Sequence, residues 1–202
     1  MGSRTFLTGG GGLLGTELQK YLACYAPTSK EFDILFPGAI DREYDVVIHA
    51  AAYTDVTKAE TDRKACFNLN VEGTANMLKL FPDAYFVYIS TEYANNPVNF
   101  YSYTKLWGED LVKKHPNHLI IRTLFKANPF PYEYAFIDQY TQGDYVDVIA
   151  PMIAKEIRRE STGTITLGTG RKNMFQLARR TRPDIKGIMV DDIKDVKLPK
   201  DY

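Results

Sequence analysis

Phe6-Leu-Thr-Gly-Gly-Gly-Gly-Leu-Leu-Gly-Thr-Glu-Leu18 is the stretch on which the reading of the fold turns. An apolar run ends at Thr8, glycines follow, and apolar residues resume at Leu13 with helical spacing. The stretch therefore reads as buried strand, turn and helix. Glycine tolerates positive φ and leaves no Cβ between main chain and ligand, so a turn holding Gly9, Gly12 and Gly15 lets backbone N–H groups approach a pyrophosphate closely. The start of the helix adds partial positive charge, and Gly15 lets the helix lie flat against the strand. The spacing Thr-Gly-x-x-Gly-x-x-Gly has one more residue in the turn than the dehydrogenase-type G-x-G-x-x-G. A merely flexible loop is the competing reading. The strand before it and the amphipathic helix after it favour a dinucleotide turn.

The chain has 202 residues and a formal net charge of +0, enough for one sizeable core. No long basic or acidic run points to nucleic acid or to an anionic membrane. The longest apolar runs are strand-length, short of the ~20 residues that span a bilayer. Cys24 and Cys66 are isolated, and the start of the chain lacks the apolar stretch of a signal peptide. Phe6 stands where a myristoylation signal beginning Met1-Gly2-Ser3 requires Ser or Thr. A reducing, cytoplasmic setting is expected.

In chain order, Leu14, Leu18, Tyr21 and Leu22 predict a first helix from about Leu13 to Cys24, and a short second strand is expected near Tyr25-Ala26. In a doubly wound sheet the end of that strand meets the adenosine ribose. Ser29 and Lys30 fall there, and a basic residue leans towards a 2′-phosphate. The alternative is an ordinary solvated lysine. Asp45-Val-Val-Ile-His-Ala50 reads as a buried parallel strand, ending in Ala50-Ala51-Ala52, where small residues leave room for a flat ligand. His49 reads as a packed core residue rather than a ligand.

Thr61 to Phe81 fits a long helix, although Asn70 and Gly73 are costly in its interior. Asn70 is expected to bond main chain or water near the active centre. Tyr85 to Ser90 is the next strand, ending in Ser90-Thr91-Glu92. A helix through Tyr101-Ser-Tyr-Thr-Lys105 to Val112 then puts Tyr101 and Lys105 on one face. His118 to Thr123 is a strand, Asn128 to Tyr132 an aromatic-rich loop, Tyr145 to Arg159 a helix, Gly163 to Leu167 a strand and Lys172 to Arg180 a final helix.

Strand alternating with helix, glycines after strand one and polar strand ends argue an open parallel sheet with its ligand along the C-terminal edge. Thr91, Tyr101 and Lys105 come to that edge. A phenol has an ordinary pKa of about 10, and a neighbouring ammonium is expected to lower it and ease proton transfer. The Thr91 hydroxyl holds a carbonyl oxygen beside the phenol. Among 14 tyrosines a Tyr-x-x-x-Lys pair is weak by itself. Its weight comes from following the glycine turn and the strand-end Ser-Thr.

In these features the sequence resembles an extended short-chain dehydrogenase/reductase, and most closely the dTDP-4-dehydrorhamnose reductase group. The resembling stretches are Thr8 to Gly15, Asp45 to Thr54 with Lys58-Ala-Glu60, Asn70 to Gly73, Ser90 to Tyr93 and Tyr101 to Lys105. Weaker echoes are Gly143 to Asp147 and Leu198 to Asp201. The resemblance implies Thr91, Tyr101 and Lys105 as the catalytic trio, with Tyr101 and Lys105 also meeting the cofactor. It implies cofactor contacts at Gly9, Gly11, Gly12, Leu13, Leu14, Gly15, Ser29, Lys30, Asp33, Ile34, Ala50, Ala51, Ala52, Asn70 and Ser90. Thr54, Val56, Glu92 and Tyr93 fall where that group meets the sugar.

Only residues 92 to 100 separate Thr91 from Tyr101, where the reductases have a longer loop, and the C-terminal half is shortened. The expected architecture is α/β, a Rossmann-type doubly wound parallel sheet over residues 1–125 with a small substrate lobe over 126–202. The expected function is NADP(H)-dependent reduction of a nucleotide-activated 4-keto-6-deoxysugar, with NADP(H) favoured over NAD(H) and no metal. The alternatives are a non-catalytic dinucleotide-binding regulatory subunit, or an epimerase or dehydratase of the same superfamily. By the same resemblance, helices near 62–80 and 101–115 are candidates for a homodimer interface.

Overall fold

In a computed structural model the described residues are 4–40 and 42–201, so the reading of Met1-Gly2-Ser3 against lipidation lies outside them. The elements run β1 (Thr5–Thr8), α1 (Leu13–Leu18), β2 (Val46–His49), α2 (Arg63–Phe67), α3 (Gly73–Leu80), β3 (Tyr85–Thr91), α4 (Phe100–Val112) and β4 (His118–Thr123). After these come β5 (Phe125–Lys126), β6 (Tyr134–Phe136), β7 (Tyr140–Thr141), β8 (Asp144–Tyr145), α5 (Val146–Arg158), β9 (Gly163–Thr166), β10 (Lys172–Asn173), α6 (Met174–Arg179) and β11 (Lys186–Ile188).

Five strands form one parallel sheet in the order β1-β2-β3-β4-β9. Side chains alternate across it. Leu7, Ile48, Val87, Ile89, Leu119 and Ile121 face a layer containing Leu14 and Leu18 of α1 and Ile149 and Ile153 of α5. Phe6, Val47, Phe86, Tyr88 and Ile120 face the opposite layer, with Met77 of α3 and Val112 of α4. Burying each such side chain contributes about 1.5–3 kcal/mol, so both faces of the sheet are covered and the Rossmann-type α/β reading holds. A third cluster joins Tyr93, Leu124, Phe130, Tyr145, Met174 and Leu177 beside the sheet. It is framed by three two-stranded pairings, β5 with β8, β6 with β11 and β7 with β10.

Two elements are shorter than their periodicity predicts. α1 ends at Leu18, after which Lys20 and Tyr21 donate to the carbonyls of Glu17 and Leu18, and the chain tightens into turns. The expected strand at Tyr25-Ala26 is a single bridge from Tyr25 to Phe6, because Pro27 follows and has no N–H to extend the ladder.

The long helix expected from Thr61 to Phe81 is interrupted at Asn68–Glu72, where a π turn separates α2 from α3. His49 is the packed histidine expected of it. Its ring nitrogens pair with the hydroxyls of Thr8 at 2.8 Å and Thr74 at 3.1 Å, and burial lowers its pKa to about 3. Among the described residues, no helix is long and apolar enough to cross a membrane, and no cluster of His, Cys, Asp or Glu is grouped to hold a metal.

Candidate active site

Parallel strands stop together at one edge, and along that edge lies a cavity of about 740 Å³. Gly9, Gly11, Gly12, Leu13, Leu14 and Gly15 line it after β1, and Ala50, Ala51 and Ala52 line it after β2. Gly9 sits at φ +74°, and a Cβ there would come 2.7 Å from the Ala51 nitrogen. The Thr8 hydroxyl accepts from Ala51 N–H at 3.2 Å, which holds the ends of β1 and β2 together. A Cβ on Gly15 would run into the Gly9 carbonyl oxygen, whereas one on Gly11 meets nothing within 4 Å.

The turn is thus packed tight beneath and open towards the cavity, the shape a dinucleotide's phosphates need. Gly15→Ala should cost about 1–3 kcal/mol in urea unfolding, as overpacking does. Gly11→Ala should stay within about 0.5 kcal/mol. Equal losses at both positions would contradict the tight-turn geometry.

From the loop after Tyr25, Ser29, Asp33 and Ile34 line the cavity. Asp33 accepts from Leu35 N–H at 2.8 Å, and the Asn76 amide donates to the carbonyls of Ile34 and Leu35 at 3.0 and 3.1 Å. The loop is therefore anchored to α3. Lys30 is exposed and lies outside the lining.

At the other end of the cavity, α4 delivers Tyr101 and Lys105. Its start is fixed by a reciprocal cap in which Asn99 accepts from Ser102 N–H at 2.9 Å and Ser102 accepts from Asn99 N–H at 3.2 Å, worth about 1 kcal/mol. Thr91 ends β3 and is 6 % exposed. Ser90, Thr91, Tyr93, Tyr101 and Lys105 line the same cavity, together with Thr54 and Val56. The Tyr93 and Tyr101 rings meet edge to face at 6.3 Å.

Lys105 is 2 % exposed; it donates to the Ile89 carbonyl at 2.8 Å and lies 4.1 Å from the centre of the Tyr88 ring. Burial pulls its pKa down to about 7, with the charge on Glu109 working against that. The phenol departs from the sequence expectation. Burial pushes Tyr101 up from its ordinary value, with the Thr91 hydroxyl opposing, so desolvation outweighs any lowering by the ammonium.

Two predicted contacts are engaged by the protein instead of lining the cavity. Asn70 accepts from Tyr53 N–H at 2.8 Å and donates to Tyr53 O at 3.2 Å, clamping the loop after β2, the main-chain role expected of it. Glu92 is 1 % exposed, accepts from the Thr141 hydroxyl at 2.6 Å, and is raised in pKa chiefly by burial.

Phe32, Leu69, Phe125, Lys126 and Tyr132 also line the cavity and were not singled out. Phe125 and Lys126 follow β4 after Leu124. A strand end at the ligand edge is the one signal that points to them. Tyr132 lies in an irregular loop that carries no period.

A glycine turn and a Thr-Tyr-Lys group on one edge of a parallel sheet define the class: a Rossmann-type dinucleotide fold equipped in the manner of a short-chain dehydrogenase/reductase. The chain belongs to the RmlD substrate binding domain family, which matches residues 3–152.

Among its relatives, dTDP-4-dehydrorhamnose reductase of Mycolicibacterium smegmatis is 32% identical over 75% of this chain and 50% of that protein. Methionine adenosyltransferase 2 subunit beta of Danio rerio is 28% identical over 59% of this chain and 46% of that protein. The chain thus spans about half the length of these curated relatives. Among solved structures, dTDP-4-dehydrorhamnose reductase from Bacillus anthracis in complex with NADP superposes with a TM-score of 0.82 at 25% identity. That superposition covers 100% of this chain and 89% of the other.

Proposed function

We propose that this chain reduces a nucleotide-activated 4-keto-6-deoxysugar using NADPH. One observation carries the reading: Thr91, Tyr101 and Lys105 line the same cavity as the glycine turn. Gly9 to Gly15 and Ala50 to Ala52 would hold the dinucleotide, and Thr54, Val56 and Tyr93 would face the sugar. When bound, the reduced nicotinamide supplies a hydride to the keto carbon. Tyr101 donates a proton to the ketone oxygen, and the Thr91 hydroxyl orients that oxygen. A phenol raised by burial keeps its proton until the oxygen gains negative charge. Lys105 sits one helical turn behind it and would hold the cofactor ribose.

The preference for NADP(H) over NAD(H) rests on the NADP complex of the Bacillus anthracis protein and on the absence of an acidic residue in Thr28-Ser29-Lys30. We divide the chain into a dinucleotide-binding core, 1–125, and a reduced substrate lobe, 126–202, from which α5 and β9 return to the core. A cytoplasmic setting agrees with two free thiols, Cys24 and Cys66.

A homodimer through the helices near 62–80 and 101–115 is supported by an aromatic patch there. Trp107 and Tyr103 are 41% and 43% exposed, with the Phe67 and Phe100 rings beside Trp107. Light scattering that finds only monomer would reject it.

The function is tested by following NADPH oxidation with a panel of dTDP-, UDP- and GDP-linked 4-ketosugars. Stoichiometric NADPH consumption supports the reductase and excludes an epimerase or dehydratase that recycles its hydride. The zebrafish relative, whose name makes it a subunit of another enzyme, favours one second reading, a regulatory dinucleotide-binding subunit. Tight NADPH binding with no turnover of any sugar would select that reading.

A further inference from the structure

Lys126, the second residue of β5, lines the cavity, and the pairing of β5 with β8 fixes its backbone opposite Tyr145. Its ammonium lies 5.0 Å from the centre of the Tyr132 ring. Burial takes the pKa of this lysine down to about 8, and no carboxylate contributes to it. Four other lysines have acid partners, Lys20 with Glu17, Lys113 with Asp110, Lys172 with Asp144, and Lys200 with Asp138 and Asp191. Among the described residues, Lys126 has the Tyr132 ring and no acid partner.

Among the described residues, Asp33 is the one carboxylate on the lining, and it accepts from the Leu35 N–H. Lys105, the other lysine on the lining, is already held by the Ile89 carbonyl and the Tyr88 ring. A half-buried cation without a counter-charge has lost hydration and recovered little. A bound anion returns that energy, and a ring face such as that of Tyr132 steadies the ammonium meanwhile.

We infer that Lys126 is a diphosphate contact of this cavity, steadied by Tyr132 and reaching the pyrophosphate of the dinucleotide or the diphosphate of the nucleotide-sugar. The inference rests on the reading that these two ligands share the cavity, and adds the residue that answers their charge.

The test is calorimetric titration of wild type, Lys126→Met and Lys126→Arg with two probes, NADPH and dTDP. Lys126→Met should weaken one probe by about 10- to 100-fold, as the loss of a charged contact does, with an unchanged unfolding midpoint. Lys126→Arg should restore most of that affinity, and raised salt should narrow the gap between wild type and Lys126→Met. Weakening of NADPH assigns the lysine to the cofactor, and weakening of dTDP assigns it to the sugar nucleotide. Unchanged binding of both probes by Lys126→Met overturns the inference and leaves the reductase reading standing. A loss that Lys126→Arg does not restore, together with a lowered unfolding midpoint, overturns it in favour of a packing role. Wild type that binds neither probe overturns both readings.

Discussion

Tyr101→Phe is expected to lower ketosugar reduction by about 10²- to 10⁴-fold, the range of a lost general acid, while the NADPH dissociation constant stays within a few-fold. Phenylalanine keeps the ring that packs against Tyr93 and removes only the hydroxyl. The fold and the glycine turn should therefore be untouched. What disappears is the proton that, in the proposed reaction, reaches the ketone oxygen as hydride arrives at carbon. Thr91, also on the cavity wall, has a hydroxyl too weakly acidic to take over. Stopped-flow measurement of NADPH oxidation, with fluorescence titration of NADPH binding, separates the two effects. Turnover within tenfold of wild type would remove the phenol from the reaction.

Glu109→Ala is expected to cost about 3–5 kcal/mol of folding stability, the penalty for breaking a buried ion pair from one side. Glu109 is 0% exposed and accepts from Arg122 twice, Nε at 2.9 Å and Nη2 at 2.5 Å, and from the Ser90 hydroxyl at 2.6 Å. Arg122 belongs to β4, Ser90 to β3 and Glu109 to α4, so one carboxylate ties β4 to the two elements that deliver the trio. Alanine leaves a guanidinium and a hydroxyl without their acceptor. Glu109→Gln keeps one acceptor oxygen and should lose less, which keeps the comparison usable if the alanine variant fails to fold. Urea unfolding that shows less than about 1 kcal/mol for alanine would refute the brace.

The parts of this architecture legible in the sequence are those governed by local period and local chemistry. β1, β2, β3 and β4 are apolar runs with both faces buried, and the glycine turn has a backbone reason for each tight contact at Gly9 and Gly15. Tyr101 and Lys105 stand one helical turn apart, so their common face follows from helix geometry alone. Tyr25 shows where period gives out: its flanking residues suggest a strand, yet Pro27 allows only one bridge.

Lys126 and Tyr132 come from a two-residue strand and an irregular loop, and only the tertiary fold turns them to the cavity. Glu92 shows a different limit. Its place after Ser90-Thr91 puts it at the ligand edge, but a partner far along the chain, Thr141, claims its carboxylate.

The π turn at Asn68–Glu72 gives the long helical segment an extra residue, and each residue of a helix is worth about 100° of rotation. The two halves are consequently out of phase, like two gears keyed differently on one shaft. The leading half and the turn aim Cys66 and Asn70 at Thr104, while the trailing half aims Thr74 at His49 and Met77 into the sheet layer. One rod thereby serves two masters: the helix that carries Tyr101 and Lys105, and the sheet on which that helix stands.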